Sequence, residues 1–90
     1  MARVHLPSML RTYVGGDKVI ELDGATLRTV LDGLRERSAG LERRLRDESG
    51  QLRRYVNFYV GDDECRTLAG QDTPVDAETE IMIIPSVAGG

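Results

Sequence analysis

The sequence predicts an α+β domain, a mixed sheet of four to five strands with one main helix packed on one face. Three observations carry this. Leu27, Val30, Leu31 and Leu34 recur at helical spacing and form one apolar stripe. Short alternating segments lie on both sides of that helix in the chain, and the last of them, residues 81–84, is a run of four apolar residues that fits a strand with both faces covered or nearly so. A single amphipathic helix needs only one sheet face to bury its stripe, so two layers suffice.

Residues 3–6 alternate and predict a first strand, with Val4 and Leu6 turned inward, and Pro7 ends it. Met9, Leu10 and Tyr13 are expected to cover one end of the core, and Gly15, Gly16 and Asp17 to make a turn. Residues 18–22 predict a second strand, close enough in sequence to pair with the first as an antiparallel hairpin. Asp23, Gly24 and Ala25 then break the strand period, and Thr26 is a fitting N-cap. The helix has about three turns, with Arg28, Asp32, Arg35 and Glu36 on its other faces. Gly33 weakens it by roughly 1 kcal/mol relative to alanine.

Ser38, Ala39 and Gly40 are expected to stop the helix, with Leu41 and Leu45 anchoring one more turn among Glu42, Arg43, Arg44 and Arg46, and with residues 47–50 as loop. Residues 55–60 predict a strand with Val56, Phe58 and Val60 on one face and Tyr55, Asn57 and Tyr59 on the other. Residues 61–64 read as a turn leading to a short edge segment near Cys65 and Arg66, and Leu68, Pro74 and Val75 fall in an irregular connection. Residues 80–84 form the last strand, and a central place beside the first would explain its apolar run. Pro85 lacks an N–H, so pairing is expected to cease there. The domain thus covers residues 1–85. Residues 86–90, Ser86, Val87, Ala88, Gly89 and Gly90, are too few and too small to pack and are expected to project as a flexible arm. Without a Cβ, Gly89 and Gly90 would let another protein close tightly around their backbone.

Ninety residues make one domain, burying roughly 60–65% of its unfolded surface. Leu, Ile, Val and Phe supply 23 of the 90, too many for a disordered chain. Residues 28–54 hold eight arginines against five acids, and residues 55–90 hold one arginine against seven acids. This predicts a basic and an acidic solvated flank. The net charge of −3 and the lack of aromatics among the arginines argue against nucleic-acid binding. No apolar run is long enough for a membrane span and the N-terminus has no signal pattern, so a cytoplasmic place is expected.

Cys65 is the only cysteine, which excludes an internal disulfide, a Cys-x-x-Cys redox pair and an all-cysteine metal site. Glu64 and Asp63 beside it disfavour the thiolate, so it reads as a structural thiol and not a persulfide carrier. His5 has no cysteine or second histidine to share a metal, and Asp62, Asp63 and Glu64 lack the spacing of a calcium loop. Gly15 and Gly16 are not followed by Lys-Ser/Thr and form no phosphate cradle.

A sheet of this strand order under one helix is the β-grasp, or ubiquitin-like, arrangement, which alone assigns no function. Several phrases add to it: Asp-Gly-Ala-Thr-Leu before the helix, Arg-Arg-Tyr-Val-Asn-Phe-Tyr-Val-Gly-Asp-Asp-Glu in mid-chain and the final Ile-Pro-Ser-Val-Ala-Gly-Gly. Together they resemble the MoaD/ThiS sulfur-carrier family over essentially all 90 residues, most nearly its CysO-type members of cysteine biosynthesis. The resemblance implies a carrier and not an enzyme, with no bound cofactor. The Gly90 carboxylate would be adenylated by an E1-like enzyme using ATP with Mg, then converted to a thiocarboxylate. The sulfur would pass to an acceptor such as a PLP-dependent cysteine synthase, and a zinc-dependent JAMM-type protease would release the adduct. Thiamin, molybdopterin and specialised metabolites draw on carriers of the same build.

Strand alternation also suggests where the body docks on such partners. With Val4, Leu6, Ile81 and Ile83 toward the helix, His5, Met82, Ile84 and Tyr59 share the opposite face, an apolar patch fit for a partner. Ser86, Val87 and Ala88 would meet the partner's channel beside it. Two other roles stay open on the residues: a modifier that acylates lysines through Gly90, and a passive interaction module.

Overall fold

The first hairpin forms as predicted. The computed structural model describes residues 1–85, and in it β1 (Ala2–His5) pairs antiparallel with β2 (Val19–Leu22), Val4 standing opposite Ile20. Between them runs a 3-10 helix, Ser8–Val14, left through Gly15 and Gly16 at φ 72° and 94°. Only glycine takes that left-handed backbone without strain. The threefold repeat of a 3-10 helix puts Leu10 and Tyr13 on one side and Met9 on another. Leu10 is accordingly buried, Tyr13 rests partly exposed against Gly40, and Met9 is exposed, so of the three expected core residues only Leu10 belongs there.

Helix α1 (Leu27–Arg37) starts at a reciprocal cap: the Thr29 N–H donates to Thr26 Oγ1, and the Thr26 N–H donates to Thr29 Oγ1. Its stripe of Leu27, Val30, Leu31 and Leu34 is fully buried. Ser38 alone makes the break. Its N–H closes α1 on the Leu34 carbonyl, and its hydroxyl accepts from Leu41 N–H to open α2 (Ala39–Leu45). Ala39 and Gly40 therefore belong to a second helix of two turns and do not stop the first. One side chain that satisfies both helix ends is enough for so sharp a turn.

The remaining strands are β3 (Val56–Val60), β4 (Asp63–Glu64) and β5 (Glu80–Pro85). The sheet order is β2-β1-β5-β3-β4, with β5 central, parallel to β1 and antiparallel to β3. The edge strand falls on Asp63 and Glu64, earlier than expected, and Cys65–Thr67 forms a 3-10 turn instead. The long connection is tied to the start of α1 by Leu27 N–H to Thr73 O and Val75 N–H to Ala25 O.

Two expectations for β5 fail. Ile81 and Ile83 are buried, but Met82 and Ile84 are 45% and 43% exposed, because both helices lie on one side and, among the described residues, no element covers the other. Pairing also continues to Pro85, which stands in register with Val56. Proline removes one donor but keeps the extended backbone that its φ allows.

The basic segment is not wholly solvated either. Arg46 and Glu42 are buried side by side. The Arg46 guanidinium donates to Glu42 Oε2 at 2.7 Å, to Gln71 Oε1 at 3.0 Å and to Asp32 Oδ1 at 2.9 Å. These bonds join α1, α2 and the turn Gly70–Asp72. Gln71 in turn donates to the Gly50 carbonyl and fastens the loop after α2.

Candidate functional site: the open sheet face

Register assembles this face. Val19 stands opposite His5, His5 opposite Met82, and Met82 opposite Tyr59, so one row crosses β2, β1, β5 and β3. Ile84 lies two residues along β5, opposite Asn57. All four residues predicted for a partner surface, His5, Tyr59, Met82 and Ile84, therefore share one face. Met82 and Ile84 are exposed, and His5 and Tyr59 are half-buried. At one side of them a groove of about 480 Å³ is lined by His5, Pro7, Val19, Met82, Ile84 and Pro85. Val19 and Pro7 were not among the predicted residues. The alternation of β2, with Ile20 buried, would have turned Val19 outward and was signal enough to find it.

The next row is charged. Glu21 stands opposite Arg3, and Arg3 opposite Glu80. Arg3 Nε donates to Glu80 Oε2 at 2.9 Å, and His5 Nε2 bonds the other carboxylate oxygen. The hydrogen bond from His5, then that from Arg3, holds the Glu80 carboxyl below its usual range, while Glu80 raises the Arg3 guanidinium. His5 is thus the joint between a charged row and an apolar one. Its ring is oriented by a carboxylate and borders the groove.

The other sites weighed from sequence separate clearly. Cys65 is fully buried with Sγ 3.6 Å from Glu64 Oε2; burial first, then the Glu64 charge, pushes the thiol up to about 11. Such a thiol is a poor nucleophile. Glu64 is engaged by Arg66, and among the described residues no cluster of three or more His, Cys, Asp or Glu could hold a metal. A polar cleft of about 280 Å³ between the helices and the loop after α2 is lined by Arg28, Arg35 and Arg43 but equally by Asp32, Asp47 and Glu48. Its charges cancel. No helix among the described residues is long and apolar enough to cross a membrane. Ser86, Val87, Ala88, Gly89 and Gly90, predicted as arm and reactive end, lie outside the described residues.

Comparison with known proteins bears on what such a face serves. Residues 4–90 match the ThiS family. The chain is 38% identical over 89 residues to the sulfur carrier protein CysO of Mycobacterium tuberculosis, covering 97% of this chain and 96% of that one. Among solved structures it matches a chain of the Amycolatopsis orientalis BexX/CysO complex, with a TM-score of 0.91 and 38% identity over all of both chains. It also matches the small archaeal modifier protein 1 from Methanosarcina acetivorans, with a TM-score of 0.84 and 27% identity over 99% of this chain and 95% of that one. The predicted β-grasp fold is the fold found.

Proposed function

The chain belongs to the ThiS family, and from that premise we propose that it is a sulfur carrier whose Gly90 carboxylate is adenylated and then converted to a thiocarboxylate. The observation that carries this is the 38% identity, over nearly the full length of both chains, to a CysO sulfur carrier. Cysteine biosynthesis is the favoured destination of the sulfur. The partners are an E1-like enzyme that uses ATP with Mg, a sulfur acceptor such as a PLP-dependent cysteine synthase, and a JAMM-type metalloprotease that releases the product. The similarity to a chain from the BexX/CysO complex supports docking to a separate partner protein.

Elementary chemistry agrees with the assignment. A terminal carboxylate is ionised at neutral pH, with an ordinary pKa of about 3.3–3.7, and its oxygen is a poor leaving group. Adenylation joins that oxygen to the α-phosphate of ATP as a mixed anhydride, with pyrophosphate released, and sulfide attacking the carbonyl carbon then expels AMP. The carrier need supply no catalytic group. Ordering each residue of residues 86–90 in a partner's channel costs about 1–2 kcal/mol of backbone entropy. Burial of Met82, Ile84, Tyr59 and His5 against the same partner offsets that cost.

Intact mass after incubation with an E1-like enzyme, ATP and sulfide tests the reading. Exchange of oxygen for sulfur raises the mass by about 16 Da, a covalent change visible directly. Deleting Gly90 should abolish it while leaving the melting temperature in place, and no mass change in the intact chain would refute the assignment. A second reading, which the likeness to an archaeal modifier protein supports without favouring it over the first, is conjugation of Gly90 to lysines of other proteins, seen as high-mass adducts in cells.

A further inference from the structure

Eleven of the twelve basic side chains counted as Lys or Arg are arginine; the sole lysine is Lys18. A guanidinium stays protonated and has no lone pair to offer an acyl group, whereas a lysine amine does. We infer that Lys18 is the internal acceptor of the activated Gly90 acyl group, closing the chain into a ring through an isopeptide bond when sulfide does not intercept it. This rests on the reading of Gly90 as an activated carboxyl.

Topology places the two within reach. Lys18 is exposed and lines the same groove as Pro85. Its carbonyl accepts from Leu6 N–H, so it is level with Leu6, while His5 pairs with Met82 and puts Leu6 level with Ile83. β2 and β5 are two places apart in the sheet, roughly 10 Å, and Pro85 lies about 7 Å further along β5. The separation is therefore about 12 Å. The five residues after Pro85 span at most about 17 Å, before the lysine side chain adds its own length.

The other amine of the chain is placed differently. β1 and β5 run parallel with Arg3 opposite Glu80, so Met1 sits at the far end of β5, beside Glu78 and Glu80. It lies on the order of 23 Å from Pro85, beyond that span. A short tether gives an effective concentration in the millimolar range, so at about 10 μM protein ring closure outruns joining of two copies roughly 100-fold.

The step balances without a further reagent. The lysine nitrogen attacks the Gly90 carbonyl carbon, the C–N bond forms, and the bond to the adenylate oxygen breaks. AMP leaves with the electron pair, and the nitrogen loses a proton to water. The product is a carrier without a free end, and sulfide supply decides whether it forms.

The test supplies activation chemically, so its failure leaves the enzymatic mass test of the proposed function untouched. The full chain is released from an intein as a Gly90 thioester and held at mildly basic pH without sulfide. The expected product is about 18 Da lighter than the free acid, one water lost, with a tryptic fragment joining Lys18 to Gly90. In Lys18→Arg, folded as judged by circular dichroism, only hydrolysis to the free acid should follow. Hydrolysis alone in the unsubstituted chain, a ring that persists in Lys18→Arg, or a main product of two joined copies would each overturn the inference.

Discussion

Replacing Arg46 by methionine keeps most of the side-chain volume and removes the charge. Its side chain is 5% exposed, and that of its partner Glu42 is 9% exposed, so the substitution strands a carboxylate away from water. Breaking one side of a buried pair costs about 3–5 kcal/mol. Gln71 Oε1 loses its Arg46 donor and adds about 1 kcal/mol, whereas Asp32, 57% exposed, returns to water at little cost. In a domain of this size each kcal/mol lowers the midpoint by about 4–8 °C, so Arg46→Met should melt at least 12 °C lower or so. Removing both charges, Glu42→Leu with Arg46→Met, should restore stability to within about 1 kcal/mol of the parent or above it, since an apolar pair of similar volume replaces a buried ion pair well. Urea unfolding of the parent, both single variants and the double variant gives the coupling directly. A cost under about 1 kcal/mol for Arg46→Met, or a double variant no better than the worse single, would refute the reasoning.

Adjacent residues of β5 should separate fold from docking. Ile83→Ala empties buried space and should cost about 2–5 kcal/mol in urea unfolding, whereas Ile84→Glu should leave stability within about 1 kcal/mol and lower the rate of Gly90 activation at least tenfold; equal stability losses would contradict the two-faced strand. The Glu80 carboxyl is held low in the fold, so its contribution is complete above the unfolded value of about 4.3 and is lost as pH falls through the lower folded one. Glu80→Gln should therefore flatten the acid limb of stability against pH, and identical limbs would show that the His5 and Arg3 bonds contribute nothing. Cys65, buried and with its thiol pushed up to about 11, should resist iodoacetamide at pH 8 in the native protein and react fully in denaturant; rapid native labelling would place it at the surface.

Periodicity made most of the fold legible. The α1 stripe and the first hairpin follow from local pattern, because burial imposes a period of 3.6 on a helix and of two on a strand. What escaped depends on partners distant in sequence. Nothing near Arg46 signals that Asp32 and Gln71 will surround it, so a residue amid Arg43 and Arg44 reads as solvated. The length of α2 was missed because Gly40 reads as a helix stop, and only the close approach of Tyr13 explains a glycine inside the helix: a Cβ there would stand 3.3 Å from the ring. The patch residues were legible from alternation alone, while the row from Val19 to Tyr59 needed the strand order.

The run at residues 81–84 misled because continuous apolarity has two causes. In a sheet covered on both sides it fills two cores; here only Ile81 and Ile83 do so, while Met82 and Ile84 face outward. A chain of this size gains little by exposing such side chains in its free state, and burying the part of each that is still exposed, a little under half, would be worth about 1 kcal/mol. Their retention beside a charged row held by Glu80 makes sense if a partner covers them part of the time. The same strand precedes residues 86–90 in the chain, so in the proposed carrier a partner that grips its outer face would also receive Gly90, and one element would serve the core, the proposed docking surface and the approach to the proposed reactive end.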